Sequence, residues 1–114
     1  MTDTTTSSPM AGALQRACLP MLVLDVLSVA PRHGYGIAQA LVVAGLQPIK
    51  GAQLYPALAR LEDDAAITSE WEQGESGPAR KVYALTAFGK EQRADLHEQW
   101  RAFTDATRSV SAGD

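Results

Sequence analysis

The side chains in this chain that could do chemistry are hydrogen-bond donors and cations, set out in three short runs. Gln53, Pro56 and Arg60 recur three and four residues apart, with Tyr55 among them and Lys50 just before. Arg80 and Lys81 are adjacent, and His33 and Tyr35 stand close together nearer the N-terminus. A glutamine amide can pair with an adenine edge, a guanidinium or ammonium with phosphate, and a tyrosine hydroxyl with phosphate or sugar. This is the chemistry of recognition. The residues of bond-breaking chemistry are not grouped in this way. His33 and His97 lie far apart, and no Ser or Cys stands in a nucleophile motif. There is no glycine-rich phosphate loop and no His-x-x-x-His pair. No catalytic residue is assigned, and no cofactor or metal is expected. Glu62, Asp63 and Asp64 fall at a helix end and read as solvated surface rather than a calcium loop.

The recognition residues need elements to carry them. Gly51 to Asp64 has Leu54, Leu58 and Leu61 at i, i+4 and i+7, which predicts an amphipathic helix with one apolar stripe. Gln53, Pro56 and Arg60 then point elsewhere. Arg60 can reach a nucleic-acid backbone or pair with a nearby carboxylate. Upstream, Pro9 suits the first turn of a helix carrying Met10, Leu14, Ala17 and Met21. Pro20 is expected to break or kink it. A nearly all-apolar helix is predicted from about Leu19 to Val29, ended by Pro31. Another runs from about Gly34 to Ala44, with Ile37, Leu41 and Ala44 inward and Gly45 as its C-terminal cap. Residues 46–50 connect it to the Gly51–Asp64 helix.

Downstream, Ala66 to Glu72 reads as a strand with Ile67 and Trp71 spaced for one face. Gln73 to Pro78 is a turn cluster, and Arg80 to Leu85 the return strand. Trp71 is expected to fill the core or an interface. Thr86 is a good N-cap for a long final helix from about Ala87 to Arg108. Leu96, Trp100, Phe103 and Val110 follow along it at spacings of four, three and seven. The expected fold is mostly α with a small β-hairpin. It is a winged helix-turn-helix over 9–86, followed by a dimerisation helix over 87–110. Residues 1–8 and 111–114 read as tails.

Charge and composition bound the partners. At 114 residues this is one domain, and its net charge of −3 at pH 7 predicts weak non-specific binding to a polyanion. The charge is uneven. From Lys50 to Leu61 there are two cations and no anions, and from Glu62 to Glu75 six carboxylates and no cations. A locally basic surface can still meet phosphate, because salt screens charges beyond roughly 10 Å. The single cysteine, Cys18, excludes an internal disulfide and suits a reducing, cytoplasmic setting. The N-terminus lacks the pattern of a secretory signal. The apolar run Leu19 to Ala30 contains Pro20 and Asp25 and falls short of the ~20 residues of a membrane span.

Three segments in this order resemble the PadR family of transcriptional regulators, over roughly Gln15 to Thr104. His33-Gly34-Tyr35-Gly36-Ile37 is similar to the family's His-Gly-Tyr-x-Ile. Leu54 to Glu62 is similar to its Leu-Tyr-Pro-x-Leu-x-Arg-Leu-Glu recognition helix, and Gly77 to Thr86 to its wing. The chain departs from the family at Ala52 and Gln53, where Gly and then Thr or Ser are usual. It departs again at Ala65 and Ala66, where Gly and Leu usually precede the isoleucine. It lacks the extra helical domain of longer members.

The resemblance implies a homodimer, binding to a pseudo-palindromic DNA operator and, commonly, repression. On that reading Tyr35, Lys50, Gln53, Tyr55, Pro56, Arg60, Arg80 and Lys81 meet DNA. Met10, Leu14, Met21, Leu96, Trp100, Phe103 and Val110 form the dimer seam. Some short members hold flat aromatic molecules between paired tryptophans, so Leu96, Trp100 and Phe103 are also candidate effector contacts. Plainer readings stand beside these. Large aromatics at helical spacing are usually packing, the wing cations can be solubilising charges on a hairpin edge, and His33 is more often a helix cap than a phosphate ligand. A winged helix used only for protein–protein contact is the alternative function.

Overall fold

The computed structural model describes residues 9–74 and 77–112. The expected tail at 1–8, the tip of the hairpin turn and the last two residues of the expected C-terminal tail lie outside the described residues. Seven elements follow in order: α1 (Pro9–Val29), β1 (Arg32–His33), α2 (Gly34–Val43), α3 (Gly51–Asp63), β2 (Ile67–Glu72), β3 (Arg80–Leu85) and α4 (Ala87–Ala112). The three strands form an antiparallel sheet in the order β1-β3-β2. This is the winged helix that the sequence predicted, with a long helix added at its C-terminal end.

Pro20 does not divide the first segment. α1 is one helix of 21 residues with the proline inside it. A mid-helix proline costs about 3 kcal/mol. Leu19, Val23, Leu24 and Leu27 on the same helix are all at most 4% exposed, and burying each contributes about 1.5–3 kcal/mol. Core burial therefore outweighs the lost hydrogen bond. An unbroken α1 also changes the membrane arithmetic. Met10–Val29 is long and apolar enough, by length and composition, to cross a membrane, where the shorter run Leu19–Ala30 was not. Its C-terminal half is occupied otherwise, since Val23 and Leu24 lie at the centre of the folded core with Ile37, Leu58 and Ile67.

The other difference is β1. Two residues are too few for any periodicity to mark them. They are extended because β3 pairs with them, Arg32 with Tyr83 and His33 with Val82.

The ends of α2 and α3 are closed alike. Gly45 has φ +105°, its N–H donates to the Val42 carbonyl, and Leu46 N–H reaches back to Leu41. At the end of α3, Ala65 N–H donates to Glu62 and Ala66 N–H to Leu61. These are two Schellman closures, but the second has Ala65 at the left-handed position, with φ 64°. Thr86 is the N-cap of α4, its Oγ1 accepting from the Gly89 N–H at 2.9 Å. Its own N–H and hydroxyl donate to the Ala66 carbonyl, and the hydroxyl also to Ala65. One threonine thus ties the start of α4 to the end of α3. The final helix runs to Ala112, four residues past the expected end at Arg108. Residues 111 and 112 are therefore helix rather than tail.

Candidate nucleic-acid interface

α3 buries Leu54, Leu58 and Leu61. Most nearly opposite that stripe lie Ala52, Pro56, Ala59 and Asp63, all exposed. The sequence reading picked only Pro56 of these four. The missed signal is the pair of alanines, which leave the middle of the outer face low enough for close approach by a partner. Tyr55 flanks that centre on the wing side. Gln53 and Arg60 flank it on the α1 side, where they line a shallow groove with Arg16, Pro20 and Asp64. The expected DNA contacts on α3 therefore fall on two sides of one exposed ridge, not on a single stripe.

On the wing side the elements converge. A depression of about 600 Å³ is lined by His33, Tyr35, Tyr55, Trp71, Arg80 and Lys81, among others. Tyr35 is 69% exposed and Tyr55 50%. Gly34 lets them come together. A Cβ at Gly34 would stand 2.6 Å from the Tyr55 hydroxyl and under 3 Å from its ring, so the outer end of the tyrosine occupies the space beside the bare backbone at the start of α2. Tyr35 Oη in turn accepts a hydrogen bond from Gln39 at 3.1 Å. Lys50 is exposed at the N-cap of α3 and lines neither hollow.

The two wing cations behave differently. Arg80 is exposed, and among the described residues neither it, Arg60 nor Lys50 has an ion-pair partner. Arg60 thus does not take the carboxylate pairing open to it in the sequence. Lys81 is half-buried, 3.9 Å from Glu62 of α3 and 5.8 Å from the centre of the Trp71 ring. Ser69 donates to the other Glu62 oxygen at 2.6 Å. His33 stands at the N-cap of α2 but makes no capping bond with its side chain. Its imidazole meets Glu72 at 3.1 Å instead. Behind the depression Tyr83 is 6% exposed. Burial first, then the charges of Glu62 and Tyr55, push its phenol above the ordinary value. Of the two roles expected of it, core or interface filler, Trp71 does not fill the core, being 69% exposed.

A second surface lies between α1 and α4. Leu14, Met21, Leu96, Trp100 and Phe103 line one apolar groove of about 350 Å³, with Cys18. The Trp100 and Phe103 rings are tilted, 6.4 Å between centroids. Leu96 is partly buried and packs on the core of its own chain. Met10 and Val110 lie outside the groove and are 68% and 82% exposed. A cluster with no trace in the sequence pattern fixes α4 to α1. Asp25 accepts from Arg93 Nε at 2.6 Å and lies 2.6 Å from His97 Nε2. Among the described residues no group of three His, Cys, Asp or Glu side chains could hold a metal ion.

Residues 23–95 match the family described as the transcriptional regulator PadR-like family. The chain belongs to the PadR family. This PadR-family chain is 36% identical over 99 residues to the transcriptional regulator Rv3488 of Mycobacterium tuberculosis, covering 87% of itself and 88% of that protein. It superposes on a PadR family transcriptional regulator from Eggerthella lenta with a TM-score of 0.84 at 33% identity, over 92% and 91% of the two chains. A PadR family transcription regulator from Clostridium difficile gives a TM-score of 0.72 at 28% identity, over 82% and 97%. The PadR chain is thus a transcriptional regulator by family, and the relatives named here are regulators rather than enzymes.

Proposed function

We propose that this PadR-family regulator is a cytoplasmic repressor that binds a pseudo-palindromic operator as a homodimer. The supporting observation is the convergence of three exposed groups on one side of the fold. These are the outer face of α3, Tyr35 at the start of α2, and the wing with Arg80, which has no ion-pair partner among the described residues. A major groove about 12 Å wide admits one helix. Ala52 and Ala59 let α3 sit deep in it. Gln53 and Arg60 then reach one wall, Tyr55 and Tyr35 the other, while Lys50, Arg80 and Lys81 meet phosphate. Two copies joined along the α1–α4 groove would present two such helices about 34 Å apart, in successive major grooves. The aromatic groove also fits a planar effector, held by Leu96, Trp100 and Phe103, whose binding would shift the angle between the two copies. No membrane association is proposed, because the buried side of α1 is committed to the core.

The test is to select duplexes from a randomised pool with the protein and footprint the survivors. An inverted repeat protected on one face of the helix is expected, with affinity falling steeply as salt rises. Arg80→Glu combined with Lys81→Glu should abolish protection. Protection unchanged by that pair removes the wing from the interface. Failure to enrich any duplex leaves the protein–protein module as the better reading.

A further inference from the structure

We propose that Trp71, backed by Lys81, is a DNA-contacting residue of the wing, its ring lying on the deoxyribose–phosphate wall of the duplex. The inference rests on the DNA-binding reading above and adds a contact to it. The sheet register supplies the geometry. Successive rows on the core-facing side of the hairpin pair Ile67 with Leu85, Ser69 with Tyr83, and Trp71 with Lys81. The first rows are sealed, with Ile67 1% and Tyr83 6% exposed. The hairpin then outruns the core, and the same face carries Trp71 out into solvent at 69% exposed. The alternation that would have buried the indole is intact, but no core remains for it to meet.

An indole left in water forgoes a large burial energy, so its surroundings indicate what would cover it. Its depression is shared with Tyr35, Tyr55, Arg80 and Lys81. Among the described residues, two carboxylates beside this surface are already engaged, Glu62 by Lys81 and Ser69, and Glu72 by His33. Phenol hydroxyls, two cations and one flat ring fit a sugar–phosphate strand, which offers oxygens to the first two and apolar deoxyribose to the third. An apolar protein face would bury Arg80, which has no ion-pair partner among the described residues, at high cost. The α1–α4 groove has its own aromatic pair and lies on other elements. Covering Lys81 with the indole also shields its phosphate contact from water. Backbone contacts of this kind are sequence-tolerant.

The experiment uses the full chain and duplexes it has selected from a randomised pool. Trp71→Ala is expected to weaken binding about tenfold, on selected and unrelated duplexes alike, with the salt slope unchanged. Lys81→Gln is expected to lower that slope by about one. Trp71→Phe should retain most of the affinity. Tryptophan emission of the wild type should fall on adding duplex, and Trp71→Phe, which keeps only Trp100, should lose that fall. Unchanged affinity in Trp71→Ala, or an equal fall in emission in Trp71→Phe, overturns the assignment while leaving the DNA-binding reading in place. Loss of the dimer in Trp71→Ala by sedimentation overturns it as well, making the indole a protein contact. A wild-type chain that binds no duplex removes both.

Discussion

Ala65 holds a conformation that costs an L-residue roughly 1–2 kcal/mol, while Gly45 closes α2 in the same motif without that cost. Ala65→Gly should therefore raise stability by about 0.5–1 kcal/mol, measurable as a higher denaturant midpoint at unchanged slope. A lower midpoint would mean that the Ala65 methyl makes a compensating contact. Gly34 is the opposite case. An alanine there drives a methyl into the outer end of the half-exposed Tyr55 ring, so Gly34→Ala should cost about 1 kcal/mol or less, the low end of overpacking, and weaken DNA binding by displacing the tyrosine. If that clash is the cause, Gly34→Ala should cost much less in a Tyr55→Ala background, and a double-mutant cycle reads the difference. Additive effects would separate the two residues. The His-Gly-Tyr run marked this position in the sequence, but the reason for the glycine lay in a side chain 21 positions away.

The elements show which parts of the fold were legible and why. α3, β2, β3 and the start of α4 were readable because each carries its own signal: a leucine stripe, alternation around a Gly/Pro turn, a capping threonine. β1 was not, since its only cause is β3. Pro20 misled, because local chemistry argued for a break that four buried residues on the same helix overruled. Trp71 was placed on the right face but only half read, because alternation gives the face of a strand and not where the core ends. The Asp25–Arg93–His97 cluster is invisible to periodicity, since its members are up to 72 positions apart. It also helps hold α4 against α1. Asp25→Ala should cost about 1–3 kcal/mol and weaken dimerisation along with stability, with both read on one sample by thermal melting and sedimentation. Tyr83 gives a pH dependence. Its folded-state phenol lies above the ordinary 10.0, so the unfolded chain ionises first. The burial contribution is complete below about pH 10 and is lost as pH rises through the folded value. Alkaline melts of the wild type should fall more steeply than those of Tyr83→Phe, and parallel curves would discard the effect.

At the scale of the molecule, α4 is longer than its own chain can cover. The radius of gyration is 16.2 Å, against about 13 Å for a compact chain of this length. The longest extent is 59 Å. Among the described residues of α4 only Gly89 is fully buried, while Trp100 and Phe103 remain 40% and 57% exposed. Aromatics left beside the apolar groove of α1 favour a second copy, because single chains rarely leave such patches open. The acidic balance makes that second copy matter for DNA as well. With net charge −3, one half-site contact works against the repulsion of the whole protomer, and only a dimer doubles the local cations on one duplex. Phe103→Asp with Trp100→Asp should therefore yield a folded monomer, seen as halved mass in sedimentation with helix content retained. Its affinity for a selected inverted repeat should fall at least about a hundredfold, toward the level of non-specific binding, and its salt slope should roughly halve, since half the phosphate contacts are gone. A monomer that kept full affinity would mean that one protomer reads the operator alone, and the spacing between recognition helices would then carry no information.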